Sequence, residues 1–453
     1  MRIYHRVSIT TVPSQPRGAS AVESGDLSRQ LGLGAATAAV AGEAIAVGIF
    51  LTPASMAQML GSPALIFLVW IAMGVTAAFG ALCYGDLASR FPAVGGAYIY
   101  LRESYGEMPA FLYGWMSLLV MDPGLTAALA IGLTSYVAYI VPIAGFHAKL
   151  LGLGVVCLLA IINMLNARAG AALLQLTTWL KISILALLPL WAMASHAGRF
   201  SNMVPLVDRR PGSPPLLQAV AGATMAAFFS FGGWWDASKL AGEVRDPQRT
   251  LPRAFILGVS LVTLVYMMVS GAFLYVVPLE KVTSDLTFVS QFGNALFGRW
   301  GARLLAAIVA LCVLGSLSVL MMAAPRAYFA MARDGVFLKS VGRTNTRFGT
   351  PKRAIVIQAA LASIFILVAN FEAILGYFMF PTVMFVGLTV ATIFKHSPER
   401  WRFTAATVFI VFILAVLTLV AIRAPLSAAL GTGIVLAGIP FWLAVKARRP
   451  EKG

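Results

Sequence analysis

Two ionisable side chains stand where water is scarcest. Glu43 lies near the middle of the apolar stretch 32–53, and Lys181 near the middle of 171–194. A charge at that depth costs several kcal/mol unless it is paired or solvated, and in membranes it marks ion, proton or substrate paths. Two opposite charges are far cheaper together than apart, so a Glu43–Lys181 contact, direct or through one water, is expected. If Lys181 titrates, proton coupling follows; if it stays charged, exchange or facilitated transport follows. Asp86 and Asp236 sit closer to the ends of their apolar stretches, where a structural helix-end role is expected, with Asp86 facing Arg90. Asp122, beside Pro123, is left open between structure and function.

The second kind of chemistry belongs to the backbone. A segment that carries solute across a bilayer must expose polar main chain, and this is tolerated only where it lines a cavity. The first apolar stretch reads Ala41-Gly42-Glu43-Ala44-Ile45-Ala46-Val47-Gly48-Ile49-Phe50. The sixth reads Phe228-Phe229-Ser230-Phe231-Gly232-Gly233-Trp234-Trp235-Asp236. Two glycine-interrupted spans in matching places of two halves point to a substrate site. Glycine also serves close helix packing, but the corresponding positions favour the broken-helix reading.

Other chemistries find no support. Cys83, Cys157 and Cys312 lie in apolar runs without disulfide or zinc spacing, and His5, His147, His196 and His396 are scattered. There is no H-E-x-x-H, no G-x-x-x-x-G-K-[ST] and no apposed nucleophile pair, so no metal site, catalytic residue, cofactor or direct use of ATP is expected.

The elements that must position these residues follow from composition. Of 453 residues, 59% are hydrophobic and 11% charged, and the mean hydropathy is +0.85. A soluble domain carries about a quarter charged residues, so the expected fold is an all-α membrane protein of about twelve transmembrane helices. The spans are placed at 32–53, 62–88, 108–139, 149–166, 171–194, 215–239, 253–278, 301–330, 354–370, 373–394, 403–422 and 425–445. Residues 1–30 are too polar to bury a core and form an expected disordered arm; 447–453 form a tail. With an even number of spans both termini share one side. Loops on that side hold Lys and Arg in excess of the other by roughly three to one, which puts the termini in the cytoplasm. The net charge of +17 then needs anionic lipid and no nucleic acid.

Four stretches resemble the amino acid–polyamine–organocation transporters, especially their bacterial amino acid permease branch. They are Gly42 to Phe50, similar to the family's G-S-x-x-G-S-G-I-F; Ala81 to Leu87 with Pro92 and Gly95 to Arg102; Phe229 to Trp234 with Glu243 to Pro252; and Arg326 to Gly335 with Thr350-Pro351. Here Glu43, Ala46 and Val47 replace the motif's first serine, middle glycine and second serine, and Asp86 replaces a glutamate. The resemblance implies an inverted five-plus-five repeat of the leucine-transporter type over 31–195 and 215–395, and two further helices over 401–446. It implies a substrate carboxylate at the backbone amides of Ala46, Val47 and Gly48, and an ammonium at carbonyls near Phe229, Ser230 and Phe231, beside Gly232 and Gly233. Phe229 would close over the substrate. Lys181, near the first helix and near Ser316 or Ser318, would take the place of a sodium ion; Glu43, a departure from the motif, joins this coupling set through its expected contact with Lys181.

The expected function is therefore sodium-independent secondary transport of amino acids, neutral ones favoured, by alternating access, with proton symport or exchange as the driving mode. The alternative is a polyamine or cationic amino acid exchanger, with Glu43 meeting the cation. A membrane sensor or enzyme is the distant alternative. Expected partners are the amino acid, the bilayer of the inner (plasma) membrane and a possible proton; oligomeric state is left open.

Overall fold

The computed structural model describes residue 27 and residues 29–165, 167–282, 285–345, 349–368, 371–397 and 399–447. The arm and tail fall almost wholly outside this set. The described residues fold into eighteen α-helices and hold no β-strand, only an isolated bridge between Leu31 and Val244.

The first span is two helices, α1 (Leu33–Ala44) and α2 (Gly48–Leu60), bent by 44° at the break. Then come α3 (Pro63–Arg90), the short α4 (Ala97–Tyr105), and a third span made of α5 (Glu107–Met116), a π-helical turn at Ser117–Met121 and α6 (Asp122–Ile140). The fourth and fifth spans are α7 (Phe146–Leu165) and α8 (Ala167–Ala194). The sixth begins as α9 (Leu216–Phe231), breaks at Gly232–Gly233, and continues as a 3₁₀ segment, Trp234–Glu243. There follow α10 (Pro247–Val276), the peripheral α11 (Asp285–Phe297), α12 (Gly301–Ala323), α13 (Pro325–Arg333), α14 (Lys352–Val368) and α15 (Phe371–Ala391). The short α16 (Ile393–His396), α17 (Arg400–Arg423) and α18 (Pro425–Ala447) end the chain.

Local sequence explains the boundaries. Ser62 caps α3 by accepting from the Leu65 amide, and Pro63 follows at the first helical position, where its missing N–H costs nothing. Gly61 closes α2 in the left-handed conformation. Among the described residues ten helices or helix runs are long and apolar enough to cross a bilayer, eleven with the bent α1–α2 pair. The remaining expected span, α14, has 17 residues, at the short end of what a bilayer requires. The helix α11 had no counterpart in the expected spans.

α1 sits at the centre, packed by α8, α10, α12 and the 3₁₀ segment, and is buried from Ala35 to Ala44. The outer helices carry exposed leucines and valines, such as Leu176, Leu187, Val411, Leu414 and Leu436. A belt of that kind is stable only against lipid.

Candidate functional site

The C-terminus of α1 would normally leave its last carbonyls unpaired. Here Gly42 O and Ala44 O, and Ile45 O just beyond them, are met from neighbouring helices. Lys181 of α8 is fully buried; its Nζ donates to Gly42 O, to Ile45 O at 2.6 Å, to Cys312 O at 3.2 Å and to Ser316 Oγ at 3.0 Å. The Ser316 hydroxyl lies 2.8 Å from Gly42 O and 3.0 Å from Ile45 O. An ammonium at a helix C-terminus also meets the negative end of the helix dipole. Tyr266 of α10 completes the arrangement: its hydroxyl is 2.7 Å from both Ala44 O and Ser230 O, so one phenol spans the first and sixth breaks.

The direct Glu43–Lys181 pair is not formed. Successive helical residues point about 100° apart. Lysine approaches the face opened by Gly42, where an added Cβ would strike Thr178, while Glu43 points to the opposite side against Gly233. Neither Glu43 oxygen has a hydrogen-bond partner. Ser318 does not join Lys181 either; its hydroxyl donates to Leu314 O of its own helix.

The two breaks touch. Gly48 lies so close to Ser230 that an added Cβ would come within 2.8 Å of its Cα, and Gly233 adopts φ +101°, a conformation other residues rarely hold. Between the breaks is a cavity walled by Ala46, Val47 and Gly48 from one side and Phe229, Ser230, Gly232 and Gly233 from the other. Leu125 and Leu129 of α6 and Met379, Thr382 and Val383 of α15 close it, and its lining is mostly apolar. Phe229 is half-buried at this wall. Phe231 is turned away, buried against Trp70 and Tyr266 at ring separations of 5.9 and 5.1 Å. The carbonyls of Phe229 and Ser230 are not idle: the first accepts from the Gly232 amide at 3.1 Å, the second from Tyr266. Each keeps a second lone pair for another donor.

The cavity floor was not anticipated. Asp122, Asp236 and Glu43 all line it, and Lys239, one turn beyond Asp236, is fully buried. Lys239 Nζ is 2.7 Å from Asp122 Oδ1 and 2.8 Å from Asp236 Oδ1. Asp236 is therefore a cavity residue and not merely a helix-end one. Asp122 also receives Ser117 Oγ at 2.5 Å and Tyr328 Oη at 3.1 Å, the latter pointing on to Gln358 Oε1 at 2.6 Å. The π-helical turn that presents Asp122 is a device often found at functional sites. Charges at 236, 239 and 243 were the available signal. Their spacing puts them on one side of a continued helix, and Glu243 indeed forms a buried pair with Arg326 at 2.7 Å. Asp86 behaves as its position suggested, paired with Arg90 at 2.8 Å and with Arg402 at 2.7 Å. Among the described residues no His, Cys, Asp and Glu cluster could hold a metal ion.

Comparison with known proteins gives this geometry a context. Residues 31–445 match the family described as amino acid permease. The chain is 27% identical over 443 residues to the serine/threonine exchanger of Bacillus subtilis (strain 168), covering 94% of this chain and 99% of that one. It is 28% identical over 375 residues to the b(0,+)-type amino acid transporter 1 of Oryctolagus cuniculus, covering 80% and 75%. To the Asc-type amino acid transporter 1 of Mus musculus it is 26% identical over 441 residues, covering 94% and 83%.

Proposed function

This chain belongs to the amino acid permease family, a membrane transporter of amino acids and not an enzyme, and from that premise we propose that it carries neutral amino acids without sodium through the cavity between its two helix breaks. The observation that carries the reading is the pairing of opposite backbone polarities on one mostly apolar cavity. The first turn of α2 has amide groups with no intrahelical acceptor and the positive end of a helix dipole, which suits a carboxylate at Val47 and Gly48. The end of α9 offers the remaining lone pairs of Phe229 and Ser230 to an ammonium. Phe229, Leu125, Leu129 and Met379 leave an apolar space for a side chain, and Phe229 is placed to close over it.

Sodium independence rests on Lys181, whose ammonium already stands among the α1 carbonyls and Ser316 Oγ, the oxygen ligands a hard cation would seek. The name of the Bacillus relative, a serine/threonine exchanger, supports small neutral substrates and exchange. The repeats 31–195 and 215–395, the plasma membrane and the cytoplasmic termini belong to the same reading, supported by the matched breaks and the loop charges.

A thermal-shift screen of the purified protein against the twenty amino acids and common polyamines tests it, since a ligand of the folded state raises its melting point. Neutral amino acids should stabilise, and counterflow in proteoliposomes should follow the same ranking. Stabilisation by polyamines or cationic amino acids alone would overturn the neutral reading.

A further inference from the structure

A second cavity, of about 340 Å³, lies apart from the helix breaks. Leu27 and Arg29 of the segment leading into α1 wall it, with the α3–α4 connection, α4, Gly242 of the 3₁₀ segment, and α13. Main-chain bonds strap the leading segment down. The Gln30 and Leu31 amides donate to Glu243 O at 2.8 and 2.9 Å, and the Arg245 amide donates to Leu31 O at 2.8 Å. The lining is basic: the guanidinium groups of Arg29, Arg102 and Arg333 share it with one carboxylate, Asp334. Asp334 Oδ2 accepts from Arg102 Nη1 and from Tyr98 Oη at 2.8 Å, and Arg102 turns its other edge to Glu103 at 2.7 Å. Arg333 lies over the Phe329 ring, 5.9 Å from its centre. Arg29 is exposed and makes no hydrogen bond or ion pair among the described residues. Even with Glu103 counted, two carboxylates face three guanidinium groups. The neighbouring Glu243–Arg326 pair, closed at 2.7 Å, adds no net charge. A single water needs only about 10–15 Å³ of such space, so a polyatomic anion and its hydration fit. Planar guanidinium forks match the oxygens of phosphate in geometry and charge.

We propose that this second cavity binds a phosphate-bearing anion, soluble or in a lipid headgroup, and that the bound anion holds this face of the transporter shut. Arg29 stands on the segment leading into α1, whereas Arg102 and Arg333 stand on α4 and α13. An anion shared among them ties the first span to the other two elements. The strap at Glu243 brings in the sixth span as well. Both spans reach the amino acid cavity further along, α1 with Glu43 and the 3₁₀ segment with Asp236. Drawing these half-spans aside to open that cavity toward this face would part Arg29 from Arg102 and Arg333. The effect on transport rests on the reading of the first cavity as the amino acid site; the binding of the anion does not.

The test uses full-length protein, inorganic pyrophosphate as the soluble probe, and sodium chloride at equal ionic strength as the control for screening. Pyrophosphate should raise the melting temperature of the wild type in neutral detergent above the chloride control. Present on both faces of phosphatidylcholine proteoliposomes, it should slow threonine counterflow severalfold. Arg29→Gln with Arg333→Gln leaves the Arg102–Asp334 pair and the amino acid cavity intact. This double variant should exchange at the wild-type rate without pyrophosphate and need about tenfold more of it for the same slowing. Should it not fold, Arg29→Gln alone, a change at an exposed side chain, is read in the same way. Slowing by phosphatidylglycerol in the membrane, in the wild type and not in the double variant, with pyrophosphate inert, assigns the site to a lipid headgroup. The reverse assigns it to a soluble phosphate. Indifference of the wild type to both anions overturns the proposal, as does an equal response of wild type and double variant. Stabilisation without slowing overturns it too, because the bound anion would then shut nothing. Absence of wild-type counterflow for every amino acid is a different failure, that of the amino acid cavity, and the melting temperatures still decide whether the anion binds.

Discussion

At the first break an ammonium meets only neutral dipoles: Lys181 Nζ donates to Gly42 O, Ile45 O and Ser316 Oγ, and its bonding capacity is used up by them. At the sixth break an ammonium meets charges: Lys239 stands between Asp122 and Asp236, and Glu43 beside them has no bond at all. One lysine finishes a helix; the other holds part of an acidic cluster and leaves a remainder. The difference teaches that burial alone does not separate a structural charge from a working one. What separates them is whether the group's partners use up its capacity.

The largest expected effect comes from removing the two ammonium groups in turn. Lys239→Met leaves Asp122 and Asp236 buried without a counter-ion, at a cost of about 3–5 kcal/mol in stability. Lys181→Met leaves only carbonyls short of donors, with Ser316 still serving one of them, at a cost of about 1–3 kcal/mol. Thermal unfolding in detergent should therefore show the greater loss for Lys239→Met, and Lys239→Met with Asp122→Asn should recover part of it. Lys181→Met should fold and yet transport poorly, because the first break has lost its anchor. Equal losses in melting temperature would erase the distinction between the two sites.

Much of this contrast was legible in the residues and part was not. The glycines at 42, 48, 232 and 233 announced both breaks, because a chain inside a bilayer has few other uses for them in matched places. Lys181 and Ser316 could be brought together through the resemblance. The partner of Glu43 could not be read, since a step of one residue around α1 turns a side chain from α8 toward the 3₁₀ segment. Lys239 stood at the very end of the expected span 215–239, where a loop would begin. The chain nevertheless continues as a 3₁₀ helix, which rises about 2 Å per residue and carries the charges at 236, 239 and 243 onward within the protein. Ser318 is two residues from Ser316 and so faces away from Lys181.

A smaller effect is expected at the shared wall. Phe229 is half-buried at the cavity wall by the protein itself, so substrate can cover only the rest of its ring. Phe229→Ala should weaken amino acid binding by about 1–2 kcal/mol, roughly five- to thirtyfold in Kd, with little change in melting temperature. Phe231→Ala should do the reverse. Its ring packs on Trp70 and Tyr266 away from the cavity, and losing it costs about 3–5 kcal/mol of folding stability. Calorimetric titration and thermal unfolding of the same two samples check both halves. If Phe231→Ala weakened binding more than Phe229→Ala, the wall would have been assigned to the wrong ring.

The smallest expected effect is none, and it is the sharpest statement about the first break. A sodium ion at the end of α1 would need the carbonyl oxygens of Gly42 and Ile45, the hydroxyl of Ser316 and room for its own radius. Lys181 Nζ occupies the centre of that oxygen set, within 3.0 Å of all three, and Cys312 O lies 3.2 Å away. A second cation would sit against a fully buried ammonium, a repulsion of several kcal/mol even at a generous effective dielectric. Replacing sodium by choline on both sides of proteoliposomes should change threonine counterflow by less than about twofold, the scale of ordinary salt effects on exposed charges. The same substitution is informative in Lys181→Met, where the oxygens are vacated but no charge has been added. If sodium accelerated the wild type several-fold, the ion would have to bind outside this oxygen set.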